Sequence, residues 1–424
     1  MAGGPRGGPM RGCRWKLAVG AIVATTTLGA CGGGTGDAGG GGDSGLLIWA
    51  GSGTGGDALK QVAQRFGEEN GVPVDVELLP GDELQTNFVT ASQGNNAPDV
   101  VCGAHDWIGN LVQNGTIDPI QLLPAVREDL QPLAVQAVTY NGQVYGMPFT
   151  MNSLVLYRNT DLAPDAPATI EDLVATGQQL QAAGRVTEVL ALPVSDTGNA
   201  YFMYPLFTSA GGYVFGTAPD GSFDSTDLGL AAPQAVTAYQ QIGALGEKGQ
   251  GVLKRSISAE NDLSLFTDGH TAFMVEGPWQ LPNLAKSSVP YDISPVPGFA
   301  DGGPASPFIT VDACYVASRG EHRTLGQEYV ANFWSRPDVQ AAYQKAAEAV
   351  PASLTVLDQI RDTQPLVAEA ADIAAQSGQI MPSIPEMAAV WDPWGKAEAA
   401  VVAGADPRTT ITAAATTIRG AIGG

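Results

Sequence analysis

"LLIWAGSGTGGDALKQVAQRFGEENGVPVDVELL", residues 46–79, changes its hydrophobic period twice. Leu46 to Ala50 is a short apolar run bounded by glycines, which reads as a buried strand, and Leu59, Val62, Ala63 and Phe66 then recur at helical spacing. Val72, Val74, Val76 and Leu78 alternate with Pro73, Asp75 and Glu77, so a second strand has one apolar face and one wet face. A polar helical stretch over 82–94 leads into "PDVVCG" at 98–103, a third strand. Strand, helix, strand, helix, strand within about sixty residues predicts a parallel sheet with crossover helices.

Further along, Asn141-Gly142 inside "VTYNGQVYGMP" is a hairpin signal. Helical periodicity then dominates, over 170–183, 233–245, 325–334, 337–349 and 409–418. Roughly 379 residues follow position 45, a length that allows two domains or two lobes of one fold. The expected class is α/β with additional helices and no internal repeat.

Upstream, Arg11, Arg14 and Lys16 precede an uncharged, largely apolar run over 17–28. That run is shorter than the roughly twenty residues a bilayer span needs, and it reads as a secretion signal. It ends in Leu28-Gly29-Ala30-Cys31, which resembles the lipobox of bacterial lipoproteins, where the cysteine takes a diacylglyceryl group and the leader is cut just before it. Residues 1–30 are therefore expected to be a lipoprotein signal peptide, with Met10 as serviceable a start as Met1, and Cys31 the lipidation site. Nine of the fourteen residues over 32–45 are glycine, so 31–45 is expected to be a tether with no core of its own. Fully extended, such a chain reaches about 50 Å.

Lys and Arg number 21 against 43 Asp and Glu, a net charge of −22. Arg6, Arg11, Arg14 and Lys16 leave with the leader, which takes the mature chain to −26. Such a chain repels phosphate backbones and anionic headgroups, so nucleic-acid partners and electrostatic adsorption to membranes are excluded and the membrane anchor has to be covalent. The expected location is extracytoplasmic, on the outer face of the cell membrane. Cys102 and Cys314 remain in an oxidising compartment, either bridged or as two small buried residues.

"GSGTGG", residues 51–56, fits G-x-G-x-x-G after a strand and before a helix, with Glu77 about twenty residues on, as a dinucleotide site requires. The export signal and the glycine-rich surroundings oppose that reading. The alternative is a tight strand-to-helix turn whose backbone N–H groups face a cleft. His105, His270 and His322 have no metal-ligand spacing and read as surface or capping histidines, and there is no G-x-S-x-G elbow. A glycosidase pair among the many carboxylates has no fixed spacing, so a secreted glycoside-acting enzyme stays open behind a binding protein.

"LLIWA" (46–50), "APDVVCGAHDWIGNLVQNG" (97–115), "AVTYNGQVYGMPF" (137–149), "AYFMYPLFTSAGGYVF" (200–215), "FTDGHTAFMVEGPW" (266–279) and "QIMPSIPEMAAVW" (379–391) together resemble the extracytoplasmic sugar-binding proteins of ABC importers, most closely the maltose/maltodextrin-binding class. The resemblance runs from Leu46 to near the C-terminus. It implies a two-lobed periplasmic-binding-protein-like fold, with 46–150 and 312–356 in the first lobe and 155–308 and 360–424 in the second. It further implies a sugar cleft closed by hinge motion and read by permease transmembrane subunits, a monomer, and no catalysis or cofactor. "VVCG" and "DACYV" would be strands of one sheet near the hinge, which implies a Cys102–Cys314 disulfide.

Pyranose rings have apolar C–H faces and a hydroxyl rim, so aromatic rings cover the faces and Asp, Asn or Glu bond the rim. The resemblance assigns stacking to Tyr201, Phe202, Trp279 and Trp391, and hydroxyl binding to Asp106. Departures accompany these matches. Gly103 replaces a family tryptophan, Trp107 replaces an arginine, Asn152 and Asn199 replace carboxylates, and Gly53 and Thr54 replace a charged pair. A neutral glucoside or other oligosaccharide is the expected ligand, with maltodextrin, trehalose, β-linked oligosaccharides and galactosides all open.

Overall fold

The computed structural model describes residues 45–94, 96–219 and 221–423. The leader, Cys31 and all of the glycine tether before Gly45 lie outside the described residues.

Strand Leu46–Gly51 pairs in parallel with Val74–Leu79 on one side and Val100–Ala104 on the other. Helices Thr54–Asn70 and Gly81–Gln93 make the crossovers. Period two in the first strand buries Leu46, Ile48 and Ala50 on the face that receives Leu59, Val62, Ala63 and Phe66 of the first helix. The turn between them is tight because Gly56 has no side chain: a Cβ there would lie 2.1 Å from the Gly51 carbonyl oxygen. Asn141 and Gly142 both take positive φ, 48° and 75°, the requirement of a type I′ turn, and they join Thr139–Tyr140 to Gln143–Val144.

The long strand Phe308–Ala317 completes this sheet. It runs antiparallel to Val100–Ala104 and to Gly146–Asn152, and its first two residues pair in parallel with Gln379–Ile380. Cys314 stands directly opposite Cys102 in that register, and their sulfurs are bonded. Gln379–Ile380 falls within the range expected for the second lobe, yet its strand and the packing of Ile380 belong to the first.

The second lobe is built on three antiparallel strands, Phe273–Glu276, Val155–Asn159 and Tyr291–Ser294. Both faces are covered. Leu156, Phe273 and Val275 look into one core with Trp394, Tyr239 and the apolar stripe Ile411, Ala414, Ala415 and Ile418 of helix Pro407–Ile422, while Val155, Tyr157, Met274 and Ile293 look into another with helix Pro365–Ser377. The chain crosses between the lobes after Asn152, before Phe308 and again beyond Ala347. Helix Ile170–Ala182 starts on a capping box between Thr169 and Asp172. The helix expected over 325–334 is split, because its second half, Glu328–Phe333, widens so that Trp334 N–H reaches the Tyr329 carbonyl five residues back.

Candidate functional site

The ends of the parallel strands open into a cleft between the lobes, where open α/β sheets place ligands. Its inner part, about 250 Å³, is lined by Gly51, Ser52, Gly55, Gly103, Trp107 and Asp312 among others. Its outer part, about 540 Å³, has Thr54, Gly55, Thr150, Asn152, Asp312 and Tyr343 on the first-lobe wall and Trp279, Pro282, Asn283 and Lys286 on the second. The "GSGTGG" turn therefore does face a cleft.

Trp279 rides on a short turn, Pro278–Gln280, directly after the strand Phe273–Glu276, and at 41 % exposed it is among the most open large apolar side chains of the described residues. Its ring lies flat over Gly277, where a Cβ would sit 2.2 Å from it. The turn is anchored from behind. Tyr157 Oη–H donates to the Gly277 carbonyl at 2.8 Å, and Gly277 N–H donates to Glu276 Oε2 at 2.7 Å. Burial raises the Glu276 carboxyl to about 8, with the carboxyl of Asp262 adding to the rise.

Gly103 and Trp107 work as a unit. The Trp107 ring occupies the space above Gly103, so close that a Cβ on Gly103 would meet it at 2.1 Å. The aromatic surface is thus delivered to the cleft from a residue four positions later.

Asp106 sits on the turn His105–Trp107 that caps strand Val100–Ala104. Its Oδ1 is buried without a hydrogen-bond partner. Burial pushes the Asp106 carboxyl up to about 7; bonding to its own backbone opposes the rise and the charge of Asp312 adds to it. Asp312 stands opposite Thr150 in the strand register, accepts from Thr150 Oγ1 at 2.7 Å, and is raised by burial. Tyr201 reaches the same region from the second lobe: its hydroxyl is raised first by burial and further by the negative charges of Glu276, Asp312 and Asp106.

Tyr201, Phe308 and Trp391 form a continuous aromatic run, with ring centroids 6.3 Å and 6.0 Å apart, and Trp391 stacks on buried Trp394 at 6.0 Å. Phe202 corrects the expectation. It is 7 % exposed, belongs to the core of the second lobe and backs Tyr201 edge-to-face at 5.5 Å, because the helix Ala200–Ser209 turns position 202 inward. Asn199 stands at the start of that helix, its backbone N–H donating to buried Glu398 at 3.4 Å. His105 is likewise no surface residue. It is fully buried, accepts from Val311 N–H at Nδ1 (3.1 Å), donates from Nε2 to the Met381 carbonyl (3.0 Å), and is held neutral with its pKa lowered to about 4 by burial. It locks the turn that bears Asp106 to the hinge strand.

The structure thus brings Trp107, Asn152 and Trp279 to the cleft walls, while the polar tips of Asp106 and Tyr201 are buried close to Asp312. Asp312 and Tyr343 line the cleft and were not anticipated there. Asp312 had a signal, a lone carboxylate inside the apolar run "FITVDACYVA".

The family model described as bacterial extracellular solute-binding protein matches residues 61–375, and the chain belongs to that family. Its members bind solutes and do not catalyse reactions on them, so this chain is a binding protein and not an enzyme. It is similar to the galactooligosaccharide-binding protein of Bacillus subtilis (strain 168), 26 % identical over 380 residues that cover 86 % of this chain and 87 % of the relative. It is similar also to the maltodextrin-binding protein MdxE of the same organism, 28 % identical over 78 % of this chain and 79 % of the relative. Among solved structures it superposes on the Thermus thermophilus maltotriose binding protein bound with maltotriose at a TM-score of 0.78, with 27 % identity, covering 89 % of this chain and 100 % of that one.

Proposed function

We propose that the chain is the substrate-binding lipoprotein of an ABC importer, which captures a neutral oligosaccharide or disaccharide by hinge closure and passes it to the permease. The observation that carries this reading is the cleft itself, in which an open indole, Trp279, faces a wall of amide, hydroxyl and carboxyl groups contributed by the other lobe. A ligand that touches both walls binds the closed form better and so shifts the population toward it. Asn152 rather than a carboxylate at the rim, together with the Gly103–Trp107 exchange, sets this cleft apart from the maltodextrin pattern. Relatives named for galactooligosaccharides and for maltodextrins match about equally well, so both classes belong in the test.

A thermal-shift screen against maltooligosaccharides, galactooligosaccharides, trehalose and β-glucosides tests the reading. A ligand at 100 times its Kd adds about 2.7 kcal/mol to stability, and at least one sugar is expected to raise the melting temperature by several degrees. A panel without any shift would refute sugar capture.

The anchor is tested separately. The native chain is expected to sediment with membranes and Cys31→Ala to be released, because two acyl chains at about 0.8 kcal/mol per buried CH₂ hold firmly where a −26 surface does not. Retention of Cys31→Ala on membranes after a high-salt wash would remove the lipoprotein assignment. No helix of the described residues is long and apolar enough to cross a membrane.

A further inference from the structure

The indole of Trp279 rests on the peptide of Gly277, and both backbone polar groups of that glycine are held from within the second lobe. Tyr157 Oη–H donates to its carbonyl at 2.8 Å, and its N–H donates to Glu276 Oε2 at 2.7 Å. Glu276 ends strand Phe273–Glu276 opposite Val155, just beyond the crossing of the chain after Asn152. Its side chain also interacts with those of Trp279 and Asp262. We propose that Glu276 is a positioning residue for Trp279, which together with Asp262 holds the turn Pro278–Gln280 so that the indole already faces the cleft when a sugar arrives. This rests on the reading of the chain as a sugar binder.

Two acids in this position are costly to the fold. Glu276 is 2 % exposed, and Asp262 is fully buried at the start of helix Asp262–Thr267. Among the described residues neither acid is ion-paired, and apolar groups of similar volume would be at least as stable there. Asp262 Oδ1 accepts from Leu263 N–H at 2.7 Å, while its Oδ2 is buried without a donor. The two carboxyls meet and burial raises both, so a proton held between them supplies the missing donor and leaves Glu276 an acceptor for Gly277 N–H. What offsets the cost is a fixed Gly277 peptide. Trp279 is 41 % exposed and lies outside the cores of the lobe, so on an unbraced turn its indole would sample several rotamers that sugar binding would then have to freeze. On a braced turn that ordering is complete before the ligand binds.

The test is a double-mutant cycle with Trp279→Ala, read by calorimetric titration of the full chain with maltotriose, or with a galactooligosaccharide if maltotriose does not bind. Glu276→Met fills the space and removes the acceptor. It is expected to weaken binding about tenfold when Trp279 is present and less than about twofold once Trp279 is alanine. A residue that serves only the fold would change affinity equally in both backgrounds. Glu276→Gln keeps an acceptor for Gly277 N–H and a donor for Asp262, and is expected to bring affinity back to within about threefold of native. If Glu276→Met does not fold, Glu276→Met/Asp262→Leu takes its place in the cycle, because it replaces the whole pair by apolar groups and leaves no acid unpartnered. Equal losses in the two backgrounds, native affinity without the Glu276 carboxyl, or a Glu276→Gln no better than Glu276→Met would overturn the proposal while leaving sugar binding intact. Absence of binding of either sugar by the native chain would instead overturn the reading on which it rests.

Discussion

Cys102→Ala/Cys314→Ala is expected to lower the unfolding free energy by about 5 kcal/mol, the chain-entropy value for a closed loop of some two hundred residues. The bond joins positions 212 residues apart, and the loop it closes contains most of the second lobe. In the folded chain it ties strand Val100–Ala104 to the strand by which the chain returns to the first lobe, Phe308–Ala317. In the unfolded chain it removes the conformations in which those strands are far apart, and that is where most of the stabilisation arises. Both cysteines are buried, so a reductant meets them slowly while the protein is folded. Equilibrium unfolding in urea, with and without dithiothreitol, measures the difference. At about 2.1 cal/mol/K per residue for a folded region of roughly 380 residues, 5 kcal/mol corresponds to a fall of about 6 °C in melting temperature. The double alanine variant should match the reduced native protein within about 1 kcal/mol, since small-to-smaller changes at two buried sites add little beyond the lost bond. Identical midpoints with and without reductant would show that the bridge does not contribute.

Local signals reported the first lobe well. Alternation in "VPVDVELL", the helical spacing of Leu59, Val62 and Phe66, and Asn141-Gly142 all describe interactions between near neighbours, and each element stands where its period places it. The second lobe was less legible. Its strands Phe273–Glu276 and Tyr291–Ser294 are four residues each, too short for period two to separate them from loop, and they pair with a strand more than a hundred residues earlier. The cleft divides the same way. Trp279 stands on a cleft wall, on the motif that singled it out, whereas Phe202 could not be distinguished from half-buried Tyr201, because one step along a helix rotates a side chain by about 100°. Asp312, Asp106 and Glu276 come from three distant segments, and their common influence on Tyr201 exists only once the sheets are formed. His105 shows the same limit. Its two backbone partners, Val311 and Met381, lie more than two hundred residues away.

Trp279→Ala is expected to weaken sugar affinity by a few tens of fold while leaving the melting temperature of the empty protein within about 2 °C of native. The ring is 41 % exposed and rests on Gly277 rather than in a core. Covering roughly 100 Å² of that ring with a pyranose face gives about 2.5 kcal/mol at 25 cal/mol per Å². At 1.4 kcal/mol per decade this is about sixty-fold. Trp391→Ala should behave differently. Trp391 is half-buried, stacks on Trp394 at 6.0 Å and meets Phe308 edge-on at 6.0 Å, so its removal leaves a gap in the aromatic run as well as in any sugar contact. Partial loss of a buried aromatic destabilises by about 2 to 4 kcal/mol, which predicts a fall of several degrees in the empty protein together with weaker binding. Trp394→Phe, at a fully buried position, supplies the reference for a purely structural change: lower stability, and unchanged affinity in the folded fraction. Melting temperature of the empty protein and calorimetric affinity, measured on all three variants with the strongest ligand of the sugar screen, separate the cases. If Trp279→Ala lost stability like Trp394→Phe and kept native affinity, the indole would belong to the fold and the ligand would have to lie elsewhere in the cleft.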